Sequence, residues 1–333
     1  MFAGKRATIV NEIVDNTNPC AYCGAAESVQ LYPTYSISGD NFYLSRCLHC
    51  HAVFLSPRPS QHQLERAYDD SYYGTGEQKF TGYIEKVLDR FRSARARRVR
   101  SYISPPARIL DIGCGNGKFL SYLMPRGFEC YGTELPGKAA ERAAKIPGLN
   151  LKVGRLAEAN FSDDFFDCIC MWHVFEHLTE PKQALQIIRN ILKPGGYLMM
   201  SLPNIDSLQS KIFRGKWLHL DPPKHLFFLG PADLNSAMKD LGFKLIKQRH
   251  FSLEQNPFGF QQSLLNCILR RREILFEALK GNTAYIEGTS RVSIALQKLF
   301  CLTTFGIFVL AAGLEAALKR GGTMELTFRI QKT

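Results

Sequence analysis

The sequence predicts an α/β protein with a parallel sheet covered by helices on both faces, preceded by a small cysteine-clamped module. Three observations predict it. Between residues 105 and 250, short apolar runs that read as buried strands alternate with helical segments. The first of these strands, 108–112, leads straight into a turn with glycines at 113, 115 and 117. Two Cys-x-x-Cys pairs, Cys20/Cys23 and Cys47/Cys50, stand 23 residues apart ahead of that region.

A chain of 333 residues, 45% apolar and 22% charged, can bury a full core and hold more than one unit. Its net charge of +12 points to anionic partners: nucleic acid, a phospholipid surface or a phosphorylated substrate. Residues 1–16 contain no apolar core of the kind a secretory signal needs, so a reducing cytoplasmic setting is expected. There, ten cysteines read as thiols and metal ligands rather than disulfides.

The paired cysteines Cys20, Cys23, Cys47 and Cys50 supply four thiolates for a tetrahedral Zn²⁺, with the intervening residues as strands of a zinc ribbon. Four sulfurs close the site, so the metal is expected to be structural, with His49 and His51 as bystanders. Cys114, Cys130, Cys168, Cys170, Cys267 and Cys301 are scattered through apolar segments and read as core residues. Residues 56–60 (SPRPS) make a stiff exit from the ribbon. Residues 78–103 read as a helix carrying Arg90, Arg92, Arg95, Arg97, Arg98 and Arg100, either a solvated face or a grip for phosphates.

Strands are expected at 108–112, 128–134, 151–153, 167–171 and 196–201, and helices at 117–126, 137–145 and 182–192. Ligands in such sheets bind beyond the carboxyl ends of the strands. Asp111, Glu134, the 154–156 turn and Trp172–His173 fall there. Glycines at 113, 115 and 117 bring bare backbone to a ligand, and their order differs from the G-x-G-x-x-G of dinucleotide sites. A carboxylate at Glu134, 23 positions after Asp111, can take both hydroxyls of a ribose.

The stretch RILDIGCGNGKFL (108–120) resembles motif I of the class I S-adenosylmethionine (SAM) dependent methyltransferases. Glu134, FDCICMWHVFEHL (166–178) and LKPGGYLMMSLPN (192–204) follow in that family's order, and the resemblance covers about residues 105–250. It implies a Rossmann-like seven-stranded methyltransferase sheet whose last two strands, here 243–250 and 324–331, pair as an antiparallel hairpin. It also implies a SAM site at Asp111, Gly113, Cys114, Gly115, Gly117, Glu134, Leu135, Arg155, Leu156 and Trp172. Where relatives often carry an acid after the third strand, this chain has Arg155, so only backbone contact is expected there. Similar enzymes fold a tyrosine-bearing segment over the cofactor, a role open here to Tyr68, Tyr72 and Tyr73.

Residues 204–234 are too long for a plain connection and carry W-x-H-x-D-P-P-x-H (Trp217, His219, Asp221, His225). Similar segments cap the substrate side of methyltransferases in glycan and quinone-type pathways. A histidine can take the proton of an acceptor hydroxyl; the candidates, in order, are His225, His219 and His173. Glu176-His177 resembles the E-H pair of quinone-pathway O-methyltransferases, some of which use it to hold a divalent ion.

About seventy residues separate the last two strands, and 299–314 is a sixteen-residue run without a charge. That is short of the ~20 residues that span a bilayer, and a single crossing would keep residues 324–331 from the sheet. Helices lying in the membrane interface, or a subdomain packed on protein, satisfy both constraints.

The expected organisation is a zinc-ribbon module (1–60), a lid and lead-in helix (61–104), a SAM-binding core (105–253) with the 204–234 cap, a helical insertion (254–322) and the final strand (323–333). The expected function is SAM-dependent O-methylation of a glycan, lipid-linked saccharide or quinone- or lipid-like acceptor. It is placed in the cytoplasm, with peripheral contact to the membrane through 254–322. Two alternatives rank behind it: a zinc-containing RNA methyltransferase, and a non-catalytic scaffold on the same fold. Against the first, HVFEH (173–177) stands where base-methylating enzymes carry an N-P-P-Y type motif.

Overall fold

The computed structural model describes residues 13–15, 18–68 and 82–332. Tyr72, Tyr73 and residues 78–81 of the expected lid and lead-in helix lie outside them.

Strands β1 (Ile13–Asp15), β2 (Glu27–Tyr35), β3 (Asn41–Cys47) and β4 (Val53–Ser56) form an antiparallel meander. Helix α1 (Gln61–Ala67) follows, begun by a capping box in which Ser60 and Gln63 satisfy each other's backbone N–H. Helix α2 (Gly82–Arg100) then leads into β5 (Ala107–Ile112), β6 (Phe128–Glu134), α3 (Lys138–Ala143), β7 (Asn150–Val153) and β8 (Phe166–Trp172). After α4 (Pro181–Ile191) come β9 (Leu192–Pro203), α5 (Leu208–Phe213), β10 (Phe227–Phe228), α6 (Pro231–Asp240) and β11 (Phe243–Arg249). The insertion holds α7 (Asn256–Ile268), α8 (Ile274–Lys280), α9 (Thr283–Ile286) and α10 (Arg291–Ala317), and β12 (Thr323–Ile330) closes the chain.

The large sheet has seven strands in the order β11-β12-β9-β8-β5-β6-β7. Strands β5 to β9 run parallel and β12 runs antiparallel between β11 and β9, as the resemblance implies. Helix α4 shows why the helices pack as they do: Pro181 occupies the first turn, and Ala184, Leu185, Ile188 and Ile191 make one buried face. The expected helix at 117–126 does not form; two short 3-10 turns, Leu120–Tyr122 and Met124–Arg126, replace it. Pro125 has no N–H to continue a helix and would crowd the preceding turn. Glu176 and His177 sit in a 3-10 turn ahead of α4, and Cys267, expected in the core, is exposed because it lies on the outer side of its helix.

The cap at 204–234 is part of the small sheet. Its β10 pairs with β4, setting Phe227 opposite Phe54 and Phe228 opposite Val53. Trp217, Leu220 and Phe228 of the cap share a buried cluster with Phe42, Leu44, Val53 and Leu55 of the meander. Each such side chain contributes roughly 1.5–3 kcal/mol by leaving water, so cap and meander hold each other. The other face of the meander joins the main core, where Tyr22 and Phe54 pack with Phe175 and Leu185.

Candidate functional site

The site is built on the carboxyl ends of β5, β6 and β8. Gly113 has φ +66 and Gly117 φ +70, and a Cβ on Gly113 would stand 2.7 Å from Val174. Only glycine satisfies both the turn and that approach. The turn is fastened to the second strand: Gly115 donates its N–H to Glu134 Oε2 at 2.6 Å, and Leu135 donates to Oε1 at 3.0 Å. Cys114 donates its N–H to the Thr133 carbonyl and buries its side chain. Asp111 is buried, and its Oδ1 has no hydrogen-bond partner. Burial raises its pKa well above the ordinary carboxylate range, Arg95 opposes this and Glu134 adds to it. The unpartnered Asp111 Oδ1 beside the glycine turn fits a cationic donor such as the ammonium of SAM. Leu156 is buried on the third turn and Arg155 is exposed, its N–H capped by Glu158.

The arginine run on α2 divides by spacing. Arg90, Arg97 and Arg100 face solvent, whereas Arg92, Arg95 and Arg98, three apart, turn inward. Arg95 pairs with Glu254 at 2.6 Å and Arg98 with Glu325 at 2.9 Å. Both guanidinium groups lie over the Trp172 ring, which Phe119 meets edge-on. A cavity of about 160 Å³ opens here, lined by Arg95, Arg98, His173, Ser201, Arg249 and Thr323 among others. Sequence reasoning weighed the run as a whole. The three-residue spacing of 92, 95 and 98 was the signal that one side faces the protein.

His173 directly follows β8 and has φ +58, a left-handed conformation rare for a non-glycine residue. Its N–H donates to the Ser201 carbonyl at 2.7 Å and its Nε2 meets Ser201 Oγ at 3.1 Å. Its Nδ1 stands 3.5 Å from Glu176 Oε1. Glu176 is buried and neither of its oxygens has a closer partner. Burial pushes its pKa up, but His173, His225 and His177 around it outweigh that and bring it to about 2.

The two other candidate bases lie deeper. His225 Nδ1 contacts the His219 carbonyl at 2.8 Å, and its Nε2 is 3.9 Å from Glu176 Oε1. His219 is buried under α7 with Nε2 lacking a partner, close against Gly259. Burial, with His173 and His225 nearby, lowers its pKa to about 3. His177, lowered to about 3 by burial and by His225, meets Tyr68 Oη at 2.7 Å and the Lys224 carbonyl at 3.1 Å. One tyrosine of the expected lid therefore reaches the histidine cluster. Ligand atoms of Glu176, His177 and His225 all lie within 4.8 Å of one another.

The four cysteines converge at the edge of the core cluster that holds Phe175. Their sulfurs lie within 4.8 Å of one another, with Cys20–Cys50 at 3.7 Å and Cys23–Cys47 at 3.5 Å. A tetrahedron with Zn–S of about 2.3 Å has edges of about 3.75 Å, so the set fits zinc. The hydrogen bond from Cys50 pulls Cys20 down to about 5 against the effect of burial. His51 turns away to Asp233, 3.2 Å distant.

Residues 83–248 match a family described as "Methyltransferase domain". A ubiquinone biosynthesis O-methyltransferase of Alkalilimnicola ehrlichii is 32% identical over 104 residues, 29% of this chain and 42% of that protein. One of the same name from Leptothrix cholodnii is 26% identical over 167 residues, 45% of this chain and 68% of the relative. The chain spans from 32% to 67% of the length of the first three curated relatives it matches. Among solved structures, the cyclase SpnF aligns with a TM-score of 0.50 at 16% identity, covering 78% of this chain and 87% of that one, a likeness of fold alone.

Proposed function

We propose that this chain, whose residues 83–248 match a methyltransferase domain family, uses SAM to methylate a hydroxyl of a glycan, lipid-linked saccharide or quinone-like acceptor. The observation that carries this is His173, strained into position between Ser201 and the buried Glu176 at the wall of the cavity.

SAM supplies an electrophilic methyl group on a sulfonium. Asp111 suits its ammonium and Glu134 its ribose, with Arg95, paired to Glu254, adding positive charge nearby. His173 takes the acceptor's hydroxyl proton at Nε2 through the Ser201 hydroxyl, which passes its own proton to Nε2 as it accepts the acceptor's, and Glu176 stabilises the imidazolium from the Nδ1 side. Alignment of the hydroxyl supplies most of the rate, and the cavity between α2 and β12 provides the walls for it. The cysteine cluster holds a structural zinc that stiffens the support behind this turn. Relatives named as ubiquinone biosynthesis O-methyltransferases support oxygen as the methylated atom and an apolar acceptor.

Glu176, His177 and His225 also suit a divalent cation. A neutral His225 whose Nδ1–H donates to the His219 carbonyl presents its Nε2 lone pair toward Glu176, as metal-bound histidines do. Elemental analysis separates the two roles. A second metal, lost in Glu176→Gln while the zinc remains, supports the cation; zinc alone in the parent protein removes it.

The test of the main proposal is incubation with labelled SAM and fractionated acceptors: membrane extracts, soluble sugars and RNA. Label on a hydroxyl-bearing lipid or glycan is expected. Label on amines or RNA only would overturn it.

A further inference from the structure

Helix α10 buries the wrong residues for a helix that faces water. Its buried side chains are Gln297, Ala312 and Glu315. Its large aliphatic side chains point outward, with Leu302 79%, Leu310 72% and Leu314 69% exposed. An amphipathic helix on a globular protein does the opposite, and a contiguous apolar face of this size marks an interaction surface.

The helix is 27 residues, about 40 Å long, and among the described residues it is the one helix long and apolar enough to cross a bilayer. Its polar inner face argues against crossing. Gln261 of α7 donates Nε2 to the Cys301 carbonyl at 2.8 Å and to Thr304 Oγ1 at 2.9 Å. Gln209 of α5 donates Nε2 to Glu315 Oε2 at 2.7 Å and its N–H to Oε1 at 3.0 Å. Lifting α10 into hydrocarbon would strip the Glu315 carboxylate of these partners. Strand β12 must also lie between β11 and β9 only a few residues later. The helix stays flat on the protein and offers one long side.

Charge selects the occupant. Residues 299–314 carry no charge. The exposed charges on the helix are Arg291 and Lys298, and exposed Lys319 and Arg320 follow it; the lone acid, Glu315, is buried. Anionic headgroups complement basic residues at both ends of an apolar face. A second copy packed antiparallel would instead set the two basic ends against each other.

We propose that α10 is an in-plane membrane anchor that seats on an anionic lipid surface and holds the mouth of the cavity at that surface. Residues 318–322 connect α10 directly to Thr323, Met324 and Glu325 in the cavity wall. Phe251 and Leu253, also in that wall, are 47% and 43% exposed and give the cavity an apolar rim of its own. An acceptor with a lipid tail and a polar head can then pass from the bilayer to His173 without crossing water. This delivery rests on the methyltransferase proposal; the docking does not.

The experiment is sedimentation of the full chain with vesicles of phosphatidylcholine alone or mixed with phosphatidylglycerol, alongside a Leu302→Glu/Leu310→Glu variant. Both side chains are exposed, so the variant should fold, and its SAM affinity by calorimetry should equal the parent's. The parent should pellet with the anionic vesicles, and the variant at least tenfold less. A Leu302→Trp reporter should be quenched more by bromines near the headgroup end of the lipid chains than by those at the bilayer centre. A parent that stays in solution, or a variant that pellets equally, overturns the proposal. A parent dimer that Leu302→Glu/Leu310→Glu dissolves would assign the face to a second copy. Deep quenching of the reporter would mean a spanning helix. If the parent pellets but binds no SAM, the docking stands and the methyltransferase proposal falls.

Discussion

The N–H of Leu226 donates to the Glu176 carbonyl at 2.9 Å, while the Leu226 carbonyl accepts from the Leu55 N–H at 3.2 Å. One residue of the cap thus ties β4 of the cysteine-clamped module to the turn that carries Glu176. Aromatic packing reinforces the link, with Tyr22 6.5 Å from Phe175 and Phe175 5.2 Å from Phe227. Module, cap and the turn that carries Glu176 are mechanically one piece.

That link predicts an effect of metal on catalysis through a site with no open coordination position. One zinc per chain should be found, and Cys47→Ser should lose it, lower the melting temperature and slow methyl transfer about tenfold or more. Metal-free parent protein, or a zinc-free variant with full turnover, would contradict the coupling.

Asp111 predicts a pH dependence. Its pKa is raised in the folded chain, so the stability tied to its neutral form is present below the ordinary carboxylate pKa and is lost as pH rises through the raised value. Binding the ammonium of SAM favours the charged form. Across that window affinity should therefore rise with pH and binding should release a proton. Calorimetry in buffers of different ionisation enthalpy measures the proton. Asp111→Asn should abolish its release and weaken binding more than tenfold, and persistent release in the variant would point to another group.

His173→Ala should lower kcat by about 10²–10⁴-fold and leave SAM affinity unchanged. Glu176→Gln should lower kcat in the same direction with a smaller effect, since the ring remains. If His225→Ala rather than His173→Ala abolishes turnover, the proton goes to the deeper histidine.

Gly113→Ala should cost about 1–3 kcal/mol, because the added Cβ meets Val174 at 2.7 Å in a left-handed conformation. Thermal unfolding reads the loss, and SAM binding should fall with it. A variant as stable as the parent would mean that the turn can relax.

The glycine turn at the carboxyl ends of β5 and β6 was legible because its parts are local. Asp111, the three glycines and Glu134 are set by strand–turn spacing, and Gly115 meets Glu134 at hydrogen-bond distance. The cysteine cluster was legible for the same reason. The ranking of histidines could not be read this way. His173, His219 and His225 are alike in sequence, and only packing puts one at a cavity wall and sets another under α7. The helix expected at 117–126 failed on Pro125, a local signal outweighed by the apolar pattern around it.

The sequence by itself determined the order of strands and helices, the glycine turn and the four sulfurs, since periodicity and short spacing act through neighbouring residues. Tertiary structure alone decided that the cap completes the small sheet, that half the arginines of α2 turn inward, and that α10 presents its leucines outward. Those outcomes depend on contacts between residues far apart in the chain, Gln209 with Glu315 or Phe54 with Phe227, which no local pattern encodes.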